Sequence, residues 1–132
     1  KTPAEEAEYG WLAEQLAAAE KGKPIIVVAH HPIFLNLPSE SETHENFPIE
    51  LRSKYLQLFG QHGVDLYLAG HLHKCNRGEY GGMQMVTASA AGRQLGGDKP
   101  GYSIIRIEDG TPLVEYLHAE PQIPATSESK KI

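Results

Sequence analysis

Two apolar segments that end in paired histidines constrain the fold of this chain more than any other feature. The first reads IIVVAHHP over residues 25–32, and the second reads LYLAGHLH over residues 66–73. Short apolar runs of this kind predict strands that are buried on both faces, as in a parallel sheet. An imidazole is costly to bury without a partner, so a histidine pair at the end of each strand needs a chemical reason.

Two helices are predicted from their end signals and their apolar spacing. Thr2 and Glu5 form a capping box at the start of the first helix, and Gly22 ends it. The second helix begins at Pro48 and ends at Gly63. The predicted apolar faces are Tyr9, Leu12, Leu16 and Ala19 in the first helix, and Leu51, Tyr55, Leu58 and Phe59 in the second.

Five strands are predicted, at residues 25–29, 64–69, 83–88, 102–107 and 113–117. The first should be an interior strand, parallel to its neighbours, because both of its faces are apolar. Asp109 and Gly110 predict a hairpin turn between the last two strands. The acidic segment 36–46 predicts a surface loop of a length that is usually functional or mobile. This order of helices and strands predicts an α/β fold in which helices flank a mixed sheet.

Composition narrows the classes of partner. The chain has 132 residues, which suits one compact domain, and its net charge of −5 is unfavourable for a nucleic-acid-binding surface. No apolar run approaches the roughly 20 residues that span a bilayer, so no membrane partner is expected. Cys75 is the only cysteine, which leaves no internal disulfide and favours a reducing compartment such as the cytoplasm.

The histidines predict a metal site when His30, after the first strand, is considered together with His71 and His73, after the second. The carboxyl ends of neighbouring parallel strands meet at one edge of a sheet, where α/β proteins bind ligands. Neutral imidazole is the commonest metal ligand among side chains. A His-x-His motif alone is weak evidence, because such pairs are often solvated, but two clusters in matching positions are strong evidence. Gly70 is expected to let the backbone approach this site closely.

These motifs resemble a known family. VVAHHP followed by GHLH is similar to the last two motifs of the calcineurin-like metallophosphoesterases. The segments WLAEQL, HPIFL and AGRQLGGDKPGY resemble one branch, the calcineurin-like phosphoesterase-domain-containing proteins of the serine/threonine phosphatase type. The resemblance runs from Trp11 to Leu117 and implies a layered α-β-β-α sandwich, of which residues 1–120 would be the C-terminal half. The polar segment 121–132 is expected to be a flexible tail.

The resemblance also implies a reaction and a set of site residues. Two divalent or trivalent metal ions (Mn, Fe, Zn or similar) would serve the hydrolysis of a phosphoester substrate. His30 and His71 would bind one ion, and His73 would bind the other. His31 is not usually a ligand in this motif, and it is expected to contact substrate or to support a ligand.

Three further motifs of the family are missing from this chain. They are Asp-x-His, Gly-Asp-x-x-Asp and Gly-Asn-His-Asp/Glu, which would supply the carboxylates, including the one that bridges the ions, and the histidine that protonates the leaving group. The chain alone is therefore expected to be inactive, and to form a homodimer or to associate with a missing N-terminal half. Two alternatives stay open: a non-catalytic half-domain that binds metal weakly or not at all, and a different hydrolase that uses a His-x-His motif.

Overall fold

A four-stranded sheet carries the two histidine segments. The computed structural model describes residues 2–95 and 97–119, so the segment 121–132 lies outside the described residues. The strands of this sheet are β1 (Ile26–Val28), β2 (Leu66–Ala69), β3 (Asn76–Tyr80) and β4 (Met83–Thr87). Their spatial order is β1-β2-β4-β3, with β1, β2 and β4 parallel and β3 antiparallel to β4. Three parallel strands therefore end at the same edge of the sheet.

The register of β1 and β2 places the two histidine segments side by side. Val28 lies opposite Leu68, and the N–H of Ala29 donates to the carbonyl of Leu68 at 2.9 Å. One step further along, the N–H of Gly70 donates to the carbonyl of His30 at 3.0 Å. The hydrogen-bonded ladder thus continues past the strand ends into both segments and fixes the distance between them.

β3 is not predicted from the sequence, because its residues NRGEY are mostly polar. Gly81 and Gly82, with φ of 58° and 89°, form the turn that joins it to β4. A Cβ atom at Gly78 would lie 3.1 Å from Cε2 of Phe34 and 3.3 Å from Cε of Met85. Phe34 is completely buried, so the glycine allows this polar strand to lie directly against the core.

The last two strands form a separate two-stranded sheet. β5 (Gly101–Glu108) and β6 (Thr111–His118) are antiparallel, and Asp109 and Gly110 form their turn with φ of 49° and 79°. The predicted hairpin is confirmed, since two positive φ angles are what a two-residue hairpin turn requires. Two side chains of the first sheet donate to backbone carbonyls of β6: Arg77 to Val114 and Gln84 to Pro112.

Two helices, α1 (Pro3–Ala17) and α2 (Ile49–His62), flank the first sheet. The capping box of α1 is confirmed: the N–H of Thr2 donates to the carboxylate of Glu5 at 2.7 Å, and the N–H of Glu5 donates to the hydroxyl of Thr2 at 3.3 Å. α2 ends at Gly63, which has a left-handed φ of 65°. The fold class, α/β with a mixed sheet and flanking helices, is confirmed. No described helix has the length and apolar character needed to cross a membrane.

The buried face of α2 differs from the predicted one. Leu58 and Phe59 are buried, but Leu51 and Tyr55 are only half-buried, and Arg52 is 1% exposed. A charged side chain can occupy this face because backbone carbonyls accept hydrogen bonds from its guanidinium group. The apolar spacing alone therefore places the centre of the buried face slightly wrongly.

The prediction that the first strand is an interior strand is wrong for the described residues. β1 lies at an edge of the sheet and, among these residues, pairs only with β2. Val28 is 75% exposed, and Trp11 of α1, which is 59% exposed, lines the same groove. β1 has the composition of a strand that is covered on both faces, whereas the described residues cover only one of its faces. An apolar edge of this kind is a surface on which another strand can pair.

The packing at Gly78 gives a stability test. Gly78→Ala should destabilise the protein by about 1–3 kcal/mol, because the added methyl group would overpack against Phe34 and Met85. Gly60→Ala is the matched control, since Gly60 lies in α2 with open space around its Cβ position. Alanine there should stabilise the helix by about 1 kcal/mol. Urea unfolding measures both changes, and equal stabilities of the two variants would contradict the proposed packing.

The open edge of β1 gives an association test. The isolated chain should self-associate in sedimentation velocity, because Val28 and its neighbours expose apolar surface beside unpaired strand backbone. Val28→Lys should weaken this association, since a charge at a strand edge opposes pairing. Leu37→Lys, at a residue that is 61% exposed in the acidic segment 36–46, should leave the association unchanged. A chain that stays monomeric at every concentration would contradict the expectation.

Candidate metal centre

The side chains of His30 and His71 meet at the carboxyl edge of the sheet. Nδ1 of His71 lies 3.2 Å from Nε2 of His30, and the two ring centroids are 5.1 Å apart. His30 follows β1 and His71 follows β2, so the parallel pairing of these strands produces the contact. Two residues that are 41 positions apart in the chain thus share one site.

The backbone of the second segment adopts an uncommon conformation at both histidines. His71 has a φ of 64° and His73 has a φ of 51°, whereas left-handed backbone is rare for residues with a side chain. The N–H of Leu72 between them donates to the carbonyl of Gly70 at 2.7 Å, which tightens the turn. Residues held in such conformations concentrate at functional sites, where the surrounding structure compensates for the strain.

The hydrogen bonds of His71 determine its tautomer. Nε2 of His71 lies 3.0 Å from the carbonyl oxygen of His44, and a carbonyl can only accept. Nε2 therefore carries the proton in the neutral ring, and Nδ1 presents its lone pair toward His30. A backbone carbonyl that accepts from one ring nitrogen while the other faces a ligand position is the usual environment of a metal-binding histidine.

His31 completes a group of three imidazoles. One ring nitrogen from each of His30, His31 and His71 lies within 4.8 Å of the others. The ring centroid of His31 is 3.9 Å from that of His71. Burial lowers the pKa of His31, and the neighbouring rings of His71 and His30 lower it further. The His31 ring is therefore neutral over a wider pH range than a solvated histidine, with a lone pair available.

The position of His31 is fixed from the core. The hydroxyl of Tyr67, which is 1% exposed, donates to the carbonyl of His31 at 2.8 Å. Burial raises the pKa of this phenol above its ordinary value, and the charges of Tyr55 and Glu8 raise it further. Tyr67 thus remains a hydrogen-bond donor and attaches the turn after β1 to the middle of β2.

The donor set of this group fits a metal ion. Two imidazole nitrogens bound to one tetrahedral ion at about 2.0–2.1 Å would be separated by about 3.3 Å. The observed separation between His71 and His30 is 3.2 Å, with the His71 lone pair directed toward the contact. Imidazole nitrogens are also ligands that suit Zn, Fe and Ni.

His73 lies outside this group of three but has an unusual ring environment of its own. Its Nδ1 atom is buried and has no hydrogen-bond partner among residues 2–95 and 97–119. Its carbonyl accepts from the hydroxyl of Ser89 at 3.2 Å and from the N–H of Leu95 at 3.1 Å, which fixes its backbone. Because a buried ring nitrogen without a partner is costly, His73 also fits the role of a metal ligand.

Gly70 does not have the role that its position in the sequence suggests. A Cβ atom at Gly70 would lie 3.9 Å from the carbonyl oxygen of His30, which is an ordinary contact distance. The structure thus gives no steric reason for a glycine before the second cluster. Its backbone N–H, which any residue other than proline would provide, makes the bond to His30.

The acidic loop, residues 36–47, is held by internal hydrogen bonds. The carboxylate of Glu40 accepts from the backbone N–H groups of Leu35, Asn36 and Leu37 at 2.6–3.1 Å, and from the side-chain amide of Asn46 at 2.7 Å. Burial raises the pKa of the Glu40 carboxyl, but these donors outweigh that effect and lower it below its ordinary value. Glu40 is therefore an internal hydrogen-bond acceptor of this loop and not a solvated surface glutamate.

Two residues near the site have roles that the sequence analysis missed. Arg52 donates to carbonyls of the acidic loop, and the carbonyl of His44 in that loop accepts from His71. The spacing of Arg52, Leu56 and Phe59, at i, i+4 and i+7, was the available signal, since it places the arginine on the buried face of α2. No signal in the sequence points to a backbone carbonyl such as that of His44.

The curated relatives are named phosphatases. The serine/threonine-protein phosphatase CPPED1 of Danio rerio is 31% identical over 113 residues, which cover 84% of this chain and 37% of the relative. The protein of the same name from Homo sapiens is 33% identical over 103 residues, which cover 76% of this chain and 33% of the relative. The chain thus spans about a third of the length of the curated relatives it matches.

A solved structure and a family model agree with the fold. The structure titled GAP50, the anchor in the inner membrane complex of Plasmodium, superposes with a TM-score of 0.69 at 22% identity, over 86% of this chain and 38% of that one. The model of the calcineurin-like phosphoesterase family matches residues 1–75, which contain α1, β1, α2, β2 and both histidine segments. The chain belongs to the calcineurin-like phosphoesterase family.

Proposed function

We propose that the polypeptide that carries this chain hydrolyses phosphoesters at a centre of two metal ions, and that this chain supplies the histidine ligands of that centre. The observation that carries the proposal is the contact of His71 with His30, in which a fixed tautomer turns a lone pair toward a neighbouring imidazole at 3.2 Å. Family membership and the names of the relatives support the same reaction. Because those relatives are named serine/threonine-protein phosphatases, phosphoserine and phosphothreonine peptides are the first substrates to assay.

The proposed roles follow from the environment of each ring. His30 and His71 hold one ion, and His73, whose Nδ1 atom is buried without a described partner, holds the other. When bound, such ions polarise phosphoryl oxygens and provide a hydroxide nucleophile at neutral pH. The histidines therefore position the ions and do not themselves transfer protons in this scheme.

His31 is proposed to contact substrate or to support the ligands. Its ring packs against that of His71 at 3.9 Å, and burial and the two neighbouring rings lower its pKa, which favours the neutral ring. A neutral ring can donate one N–H to a phosphoryl oxygen and does not repel a neighbouring cation. Its nitrogen also lies near enough to His30 and His71 to bind the same ion, so metal content must separate the two roles.

The chain by itself is proposed to be inactive. Among residues 2–95 and 97–119, the histidine group includes no carboxylate that could bridge two ions. The open edge of β1 is the proposed place where the rest of a longer polypeptide, or a second copy, completes the sheet. The chain would then be a half-domain without catalytic activity only when it is isolated.

The first test removes one ligand from the complete polypeptide. His71→Ala should lower the hydrolysis of an aryl phosphate by at least about 100-fold, because a nucleophile displaced by about 1 Å costs on the order of that factor. His62→Ala, at the end of α2 and outside the histidine group, is the control and should keep the activity of the parent. Full activity of His71→Ala after treatment with a chelator would contradict the metal assignment.

The second test separates His31 from His73 by metal content. Mass spectrometry of the purified polypeptide should find two ions per molecule in the parent, about one in His73→Ala, and two in His31→Ala. The reason is that His73 is proposed as a ligand, whereas His31 is proposed to act beside the ligands. A loss of metal from His31→Ala but not from His73→Ala would reverse the two assignments.

A further inference from the structure

We propose that Arg52 is a positioning residue for the histidine group. Arg52 acts through the acidic loop to fix the tautomer of His71. The acidic loop is here residues 36–47, between the turn after β1 and the start of α2. Only the final step, the effect on metal binding and hydrolysis, rests on the proposed function. The effect on the tautomer does not depend on it.

Arg52 joins the two ends of the acidic loop. One guanidinium nitrogen, Nη1, donates to the carbonyl of Pro38 at 2.8 Å and to that of Glu40 at 2.6 Å. The other, Nη2, donates to the carbonyl of Phe47 at 2.9 Å. The side chain is 1% exposed, so these carbonyl dipoles compensate for the removal of its charge from water. A planar group with donors on both sides can make all three bonds at once.

Two residues of the loop extend this anchor to the neighbourhood of His44. The side-chain amide of Asn46 donates to the carboxylate of Glu40 at 2.7 Å, and its oxygen accepts from the N–H of Thr43 at 2.8 Å. Asn46 is 6% exposed, so it is held in the interior of the loop. Since Thr43 directly precedes His44 and Asn46 follows two residues later, the peptide unit of His44 is fixed from both sides.

The carbonyl of His44 is the point at which the loop acts on the site. It accepts from Nε2 of His71 at 3.0 Å. Without this acceptor, the neutral ring of His71 would be free to carry its proton on Nδ1, the nitrogen that lies 3.2 Å from His30. A proton on Nδ1 removes the lone pair that a metal ion would need. The buried arginine, the loop and the ligand nitrogen therefore form one continuous series of contacts.

The test compares ring tautomers in the complete polypeptide without metal. With histidine labelled by ¹⁵N, at a pH where the rings are neutral, the parent should show His71 as a single tautomer with Nε2 protonated. Arg52→Lys retains the charge on a single compact nitrogen and lacks the planar fork whose two nitrogens reach both ends of the loop, so His71 should show a mixture of tautomers. Titration with Zn²⁺ should then show an affinity that is about 10–100-fold lower, the usual cost of removing an outer partner of a ligand.

Three further variants make the result specific. Asn46→Ala removes the second anchor and should also produce mixed tautomers, so the proposal stays testable if Arg52→Lys does not fold. Arg77→Lys, on the opposite edge strand β3, also loses a guanidinium bond to a carbonyl and should change neither the tautomer nor the Zn²⁺ affinity. His44→Ala keeps the backbone carbonyl and should keep the tautomer.

The outcomes distinguish this proposal from the proposed function. A single Nε2-protonated tautomer and unchanged Zn²⁺ affinity in a folded Arg52→Lys or Asn46→Ala variant would overturn the positioning role, whatever the activity of the parent. If the parent shows no phosphatase activity but the variants change the tautomer, the proposed function fails and the positioning role stands. Loss of the single tautomer in His44→Ala would show that the side chain acts instead of the carbonyl, and would also overturn the proposal.

Discussion

The parallel pairing of β1 with β2 is the interaction on which the site depends. Each strand contributes only a few residues, but their register continues as the bond from the N–H of Gly70 to the carbonyl of His30. Any shift of one residue between the strands would separate His30 from His71 and turn the side chains to the opposite face. In β2, Leu66 and Tyr67 are buried completely or almost so, which holds this strand in the core.

A large part of this arrangement could be predicted from the sequence because it follows from local signals. The capping box of α1, the ends of α2 and the turn at Asp109 each depend on neighbouring residues. β3 is not predicted because its polar residues lack the apolar pattern of a strand, although Gly81 and Gly82 are a hairpin signal. The edge position of β1 could not be predicted, since composition reports which faces a strand can bury but not which neighbours are present.

The candidate site also has one part that the sequence predicts and another that it does not. The strand ends that carry His30 and His71 follow from two apolar runs and their parallel pairing, so sequence reasoning brings them together. The carbonyl of His44 and the buried guanidinium of Arg52 depend on how a long loop folds over the sheet. Every residue has a carbonyl, so no residue type marks the one that matters. The left-handed backbone of His71 and His73 likewise has no signature in the residue types.

The charges within the acidic loop set the pH range in which the site keeps its shape. The bonds of the buried Arg52 guanidinium to the loop all go to backbone carbonyls, so they involve no second ionisable side chain. Glu40 has a lowered pKa in the folded chain, and its stabilising effect is therefore present above the ordinary glutamate pKa and is lost only as the pH falls through the lower, folded value. Above that value the ionised Glu40 carboxylate remains the acceptor for three backbone N–H groups and for the side-chain amide of Asn46. The loop that contacts His71 therefore keeps its internal bonds in acid that would already protonate an ordinary glutamate.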